Sequence, residues 1–252
     1  MTVPADACSA PYRVRFDECG PDGRIRTSVL LRYTQDLAAY HSSMRGFGRA
    51  WYAKRELTWL VRAAEVGVVG PIGVADDLIG TTQVTGWRRV WARRRTEFVD
   101  PAGTLVAWVH IDWVLLDRRG VPSRIPAEFE PVFGAPPASF GLARVDPGEV
   151  PGDAVRTSLT VRPQEIDPMD HVNNAVYADW LDEAVLSAGG EAAVRAVPRL
   201  VRLEYPRAAG PGATLLVEVW PSAAAWSCRV ADPAGDLLRA SVEPLLDHPE
   251  DP

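Results

Sequence analysis

Residues 165–184 read EIDPMDHVNNAVYADWLDEA, and two patterns meet inside them. From Val176 onward, apolar side chains fall at Val176, Tyr177, Trp180, Leu181, Ala184 and Val185, the spacing of one helical stripe. In front of the stripe lies a turn-forming run of acids, a proline, a histidine and two asparagines. Asp, Asn and Pro favour turns and helix starts through local backbone hydrogen bonds. Capping, however, needs one such side chain, and Asp167, His171, Asn173 and Asn174 supply more than that. The run is either an elaborate helix start or a polar set aimed at a bound molecule.

The same order of features occurs earlier in the chain. An offset of 147 lays YRVRFDECGPDGRIRTSVLLRYTQDL, from Tyr12, over LTVRPQEIDPMDHVNNAVYADWLDEA, from Leu159, without a gap. Val14, Arg15, Glu18, Pro21 and Val29 meet Val161, Arg162, Glu165, Pro168 and Val176, and Tyr33 meets Trp180. In both copies a short strand, a proline-containing loop and an amphipathic helix follow one another, with helices expected near residues 28–45 and 174–186. Thr27 is the expected N-cap of the first and Asn173 or Asn174 of the second, and Gly46 is placed to close the first. Strand-like segments follow each helix: LTWLVRAAEVGVVG, DDLIGTTQVTGW, VWARRRTEFVD and TLVAWVHIDWVLLD, then LVRLEYP, ATLLVEVW, AWSCRVAD and LLRASVEPLL. One long helix followed by an antiparallel meander, twice, predicts an α+β protein in which each helix is wrapped by a curved sheet. Residues 122–153 carry seven prolines and no sustained period. The expected division is a first unit at 1–125, a proline-rich linker at 126–154 and a second unit at 155–252.

Composition sets the class. The chain has 252 residues, 47% hydrophobic and 24% charged, with a net charge of −6. That is an ordinary globular composition, and it disfavours a broad nucleic-acid surface. No apolar run reaches membrane-spanning length, and MTVPADACSAPYRVRF has no apolar core of a secretion signal. Cys8, Cys19 and Cys228 are few and scattered, which fits a reducing, cytoplasmic setting better than disulfides or zinc. His41, His110, His171 and His248 show no metal-ligand spacing, so no metal or cofactor is expected. Against the acidic background stands one basic island, GWRRVWARRR, residues 86–95. It reads either as a solvated strand face or as a site for an acidic partner or phosphate.

These residues resemble the double-hotdog acyl-ACP thioesterases of plants and bacteria. ECGPD with LLRYTQDLAAYH, LTWLVR, WRRVW and WVLLDRRGVPSRIP are similar to that family's first domain, and HVNNAVYADWLDEA is close to its HVNN-xx-Y-xx-W signature. The resemblance covers roughly residues 12–245. It implies a tandem double hotdog with the acyl chain held by the first domain. It also implies hydrolysis of a thioester carried by acyl carrier protein or coenzyme A, acting as a monomer or homodimer. Two departures stand out. The family's D-x-N-x-H-V-N-N has Met169 at its middle asparagine, and LEYPRAAG places Ala208 and Ala209 where an acid and a cysteine usually follow.

Thioester hydrolysis needs an activated water or nucleophile and donors for the oxyanion. Asp167 is the candidate base or nucleophile, with Glu18 and Glu165 behind it. His171 is the candidate orienting or donating group. The amides from Asn173 to Val176, at a helix start, are candidate oxyanion donors. Asn173 and Asn174 are either caps or catalytic partners; Asp170 reads as a turn residue, and Cys19 as a small buried side chain. Trp59, Trp87, Trp91, Trp108 and Trp113 read mostly as core, with some expected along an acyl tunnel. The competing readings are an acyl-thioester binder that has lost hydrolysis, motivated by Met169, Ala208 and Ala209, and a hotdog hydratase or dehydratase. The latter resembles D-x-N-P-x-H, and the four-residue step from Asp167 to His171 counts against it.

Overall fold

The computed structural model describes residues 7–134, 141 and 143–245. Ten strands form one antiparallel sheet: β1 (Cys8–Arg13), β2 (Leu57–Val68), β3 (Asp77–Arg88), β4 (Trp91–Val99), β5 (Leu105–Asp117), β6 (Val155–Thr160), β7 (Arg199–Glu204), β8 (Thr214–Ser222), β9 (Ala225–Asp232) and β10 (Gly235–Pro244). Their order is β1-β3-β4-β5-β2-β7-β10-β9-β8-β6. Read from the middle outward, the halves have the same connectivity, and β2 pairs with its counterpart β7 through Val66 opposite Val201. The fold is therefore α+β around a large antiparallel sheet.

Each half has a long helix after its first strand, α1 (Thr27–Met44) and α4 (Val176–Ser187). Leu30 and Leu31 of α1 and Leu181 and Val185 of α4 are fully buried and belong to one continuous core, and Leu37 of α1 is fully buried as well. A fully buried Leu contributes about 2 kcal/mol in removed apolar surface. At one register position a side chain is traded for space. Trp108 lies over its register partner Gly67, and a Cβ there would sit 2.3 Å from the indole.

Shorter helices complete the chain: α2 (Arg49–Lys54), α3 (Glu130–Phe133) and α5 (Glu191–Arg195). The stretch read as irregular linker carries a 3-10 turn at Ala127–Phe129 and then α3. The apolar pair Phe129 and Phe133 explains this. It packs with Phe47, Leu115 and Ile125 as a second cluster. Farther on, the Ala143 amide donates to buried Asp112 (2.9 Å) and the Val145 amide to buried Glu204 (3.1 Å), so the connection is tied to the sheet. Thr27 is the first residue of α1, not its cap; the capping position is Arg26, and the Thr27 hydroxyl instead accepts from Arg199 (3.4 Å). His248 lies outside the described residues.

Candidate functional site

The loops that launch α1 and α4 repeat each other bond by bond at the offset of 147. The Arg15 and Arg162 amides donate to Glu18 (2.8 Å) and Glu165 (2.7 Å). Those carboxylates also take the Tyr33 hydroxyl and the Trp180 indole N–H. The Gly20 and Asp167 amides donate to the carbonyls of Arg24 and His171, both at 2.8 Å. The left-handed residue of each turn is Gly23 (φ +73°) and Asp170 (φ +60°). Glu18 and Glu165 are thus fastened into the framework, and Asp170 is a turn residue.

On the second loop the polar side chains converge on a cavity of about 180 Å3 lined by Asp167, Met169, His171 and Asn174, with Gln35 and Trp113 from the first half. One Asp167 oxygen, Oδ1, accepts the Met169 amide (2.8 Å); Oδ2 has no hydrogen-bond partner among the described residues. His171 is exposed and lines the same cavity. No hydrogen bond or ion pair joins its ring to Asp167 among the described residues, so the sequence expectation that it orients the carboxylate lacks a bond here.

The four amides proposed as oxyanion donors are narrowed to one. Asn173 N–H donates to the Glu165 carbonyl (2.9 Å) and Val176 N–H to the Asn173 carbonyl (2.9 Å). Ala175 N–H goes to the Asn173 side chain (2.9 Å), a turn bond just ahead of α4, whose capping position is Ala175 rather than the expected Asn173 or Asn174. Asn174 N–H has no acceptor among the described residues. The Asn174 side chain is more telling. Its Oδ1 accepts from Gln35 Nε2, while its Nδ2 is buried without a partner. A buried unpaired amide costs about 1–3 kcal/mol, which is tolerated where a ligand supplies the missing acceptor.

Gln35 is the residue that sequence reasoning missed. It reaches across from α1, gives its N–H to Asn174 and takes the Asn173 Nδ2 on its Oε1 (3.3 Å). Holding both ends of the Gln35 amide sets which way the Asn174 amide faces beside the cavity that Asn174 lines. Tyr205 adds a hydroxyl bond to the Asn174 carbonyl (3.1 Å), and burial pushes the Tyr205 phenol upward, keeping it a donor. Ala209 holds the loop through its backbone. Its N–H donates to Tyr177 (3.0 Å), and its carbonyl accepts from Val172 (2.9 Å). Met169 and Ala208 line the cavity where the resemblance places an asparagine and an acid.

A second cavity of about 260 Å3 adjoins the first; Gln35, Trp59 and Trp113 line both. Its walls are largely aromatic, including Trp87, Phe129 and Phe133. Three of the five tryptophans picked out in the first half therefore line cavities, whereas Trp108 is core. The basic island divides. Arg93 clasps buried Asp112 (2.6 and 2.7 Å), Arg95 pairs with Glu97 (2.8 Å), and Arg94 is buried. Only Arg88 and Arg89 of the five are exposed, because they occupy the β3–β4 hairpin. All three cysteines are buried, and burial raises the thiols of Cys19 and Cys228, the latter to about 12.

Known proteins point the same way. A family model for the acyl-ACP thioesterase N-terminal domain matches residues 6–131, and one for the C-terminal domain matches residues 149–221. A chloroplastic palmitoyl-acyl carrier protein thioesterase of Arabidopsis thaliana is 26% identical over 225 residues, covering 81% of this chain and 52% of that protein. A chloroplastic acyl-[acyl-carrier-protein] hydrolase of Cuphea viscosissima is 26% identical over 194 residues, covering 69% and 46%. The chain thus spans about half the length of these relatives. Among solved structures, an acyl-ACP thioesterase from Bacteroides thetaiotaomicron superposes with a TM-score of 0.79 at 17% identity, covering 96% of this chain and 99% of that one. A 12:0-ACP thioesterase from Umbellularia californica gives 0.78 at 22%, covering 96% and 98%. At these identities the structural likeness speaks for the fold.

Proposed function

This chain belongs to the acyl-ACP thioesterase family, and from that premise we propose that it hydrolyses an acyl thioester at the cluster around Asp167 and Asn174. In this reading the two halves are a tandem double hotdog, the first unit ending near residue 125 and the second starting near 155. The mirrored strand order and the repeated loop bonds support it. The thioester carbonyl oxygen takes the place that the unpaired Asn174 Nδ2 leaves open, with the Asn174 amide as second donor. A water between Asp167 Oδ2 and the carbonyl carbon loses its proton to the carboxylate and attacks. The tetrahedral intermediate collapses with cleavage of the carbon–sulfur bond, and Asp167 returns the proton to the leaving sulfur. His171, at the exposed side, contacts the incoming pantetheine arm or the departing thiol. The acyl chain runs past Gln35 and Trp113 into the aromatic cavity.

The relatives' names point to acyl carrier protein as the thioester's carrier, and we extend that to this chain. Coenzyme A presents the same pantetheine end. Exposed Arg88 and Arg89 are the arginines of the island left to meet an acidic carrier, since the others are clasped or buried.

The observation that carries the proposal is an orphaned amide donor and a half-used carboxylate on two residues that line one cavity. Purified protein mixed with octanoyl-pantetheine should release free thiol, read with a thiol reagent, at a rate proportional to enzyme. Binding without thiol release, measured on the same sample, would favour the non-hydrolytic binder instead.

A further inference from the structure

The aromatic cavity has a feature that a pocket for a plain hydrocarbon does not need. Arg94, on β4, is 7% exposed and lines it. Its Nη1 donates to His41 Nδ1 (2.8 Å) and its Nη2 to the Ser42 hydroxyl (3.2 Å). Arginine only donates, so His41 Nδ1 accepts here, while Arg45 Nε lies 3.3 Å from the other ring nitrogen; neither His41 nor Ser42 is an anion. Two of the five guanidinium N–H groups are used in this way. No Asp or Glu is among the residues lining the cavity, and no carboxylate pairs with Arg94 among the described residues. A buried cation ordinarily has an anionic partner, because losing water without one is costly. Beside it Tyr52 accepts the Trp59 indole N–H (2.9 Å), which leaves its hydroxyl proton to donate. The end of the cavity around Arg94 and Tyr52 thus offers donors and positive charge within a mostly apolar lining.

We propose, resting on the thioesterase reading, that the acyl chain this site accepts carries an acceptor oxygen, a carboxylate or a carbonyl, at its far end, and that Arg94 with Tyr52 recognises it. The reach fits a medium-length chain. Gln35, at the neck between the cavities, and Ser42, beside Arg94, are seven residues apart on α1, about 10 Å at 1.5 Å per residue. An extended decanoyl chain covers that distance. A saturated chain of equal length would strand its methyl end against the guanidinium and leave the charge unmet. An oxygenated end accepts charge-assisted hydrogen bonds there. Arg94 is in this sense a specificity-determining residue, remote from the reacting carbon.

The test uses three pantetheine thioesters of equal chain length, ending in methyl, methyl ketone and carboxylate, together with their non-hydrolysable amide analogues. Binding of the analogues is read by quenching of the tryptophans that line the cavity. The expected result is at least tenfold tighter binding, and a matching gain in kcat/KM, for an oxygenated end over methyl. Arg94→Met should abolish that preference by weakening the oxygenated ligands alone. Tighter binding of the methyl-ended analogue by the unaltered protein would overturn the inference, and so would an equal loss for all three ligands in Arg94→Met. The binding arm keeps the two readings apart. Oxygen-selective binding with no thiol release would sink the hydrolase reading and leave the pocket assignment standing.

Discussion

Residues 18–29 and 165–176 share a backbone and differ in chemistry. Bond for bond the two loops make the same turn, yet Gly20, Arg24, Arg26 and Thr27 stand where Asp167, His171, Asn173 and Asn174 do. In the first loop the polar groups are spent on the framework. Arg24 donates to the Arg195 carbonyl (3.0 Å), Arg26 to the Asp17 carbonyl (2.8 Å), and Thr27 accepts from Arg199. In the second loop, Asp167 keeps an unused oxygen and Asn174 an unused amide. The opposite helices complete the contrast. Gln35 orients Asn174, whereas its counterpart, Asp182, lies with Arg24 and Arg199 in a smaller cavity of about 120 Å3. The polar groups of one copy are thus taken up by the framework, and those of the other leave one donor and one carboxylate oxygen unused.

The contrast can be broken at three places. Asn174→Ala removes the orphan donor and should lower kcat by about 10²–10³-fold, the range for losing one oxyanion donor. Thr27→Ala, its counterpart, should leave kcat unchanged. Steady-state thiol release on both variants checks this. Gln35→Leu should cost about tenfold in kcat with KM little changed, because positioning a catalytic group acts on the transition state more than on binding. Gln35→Glu keeps the acceptor for Asn173 but loses the donor to Asn174, so it should fail to rescue.

The smallest effect concerns stability at the first-copy end. Burial lifts the Asp182 carboxyl to about 7, opposed by Arg199 and Arg26 and assisted by Asp179. The folded protein therefore holds a proton that the unfolded chain releases near the usual carboxylate range. The stability this gives is complete below about pH 4 and fades as pH rises through about 7. Asp182→Asn should raise the unfolding midpoint at about pH 8 by a few degrees, corresponding to about 1–2 kcal/mol. It should do little at low pH. Thermal unfolding at the two pH values reads the difference directly.

Much of this was legible in the sequence. The gap-free offset gave two helices and two meanders, because strand alternation and helix stripes are local patterns. Asp167, His171, Asn173 and Asn174 were legible as an excess of polar groups over what a helix start requires. Gln35 was not, since one polar residue on a helix looks like any solvated position, and its partners lie 138 and 139 residues away. The linker's helical turns hid behind its prolines, although Phe129 and Phe133 were a signal for packing. Three arginines of the basic island look exposed in one dimension, but Asp112, Glu97 and the pocket around His41 claim them in three.

The central claim is that Asp167 acts as the base in a site its sister loop lacks. Single-turnover hydrolysis of octanoyl-pantetheine by Asp167→Asn, with thermal unfolding on the same preparation, tests it most directly. A fall of about 10²-fold or more in the chemical step, with the unfolding midpoint unchanged, is the expected result. Turnover equal to that of the unaltered protein would contradict it and move the chemistry away from this loop.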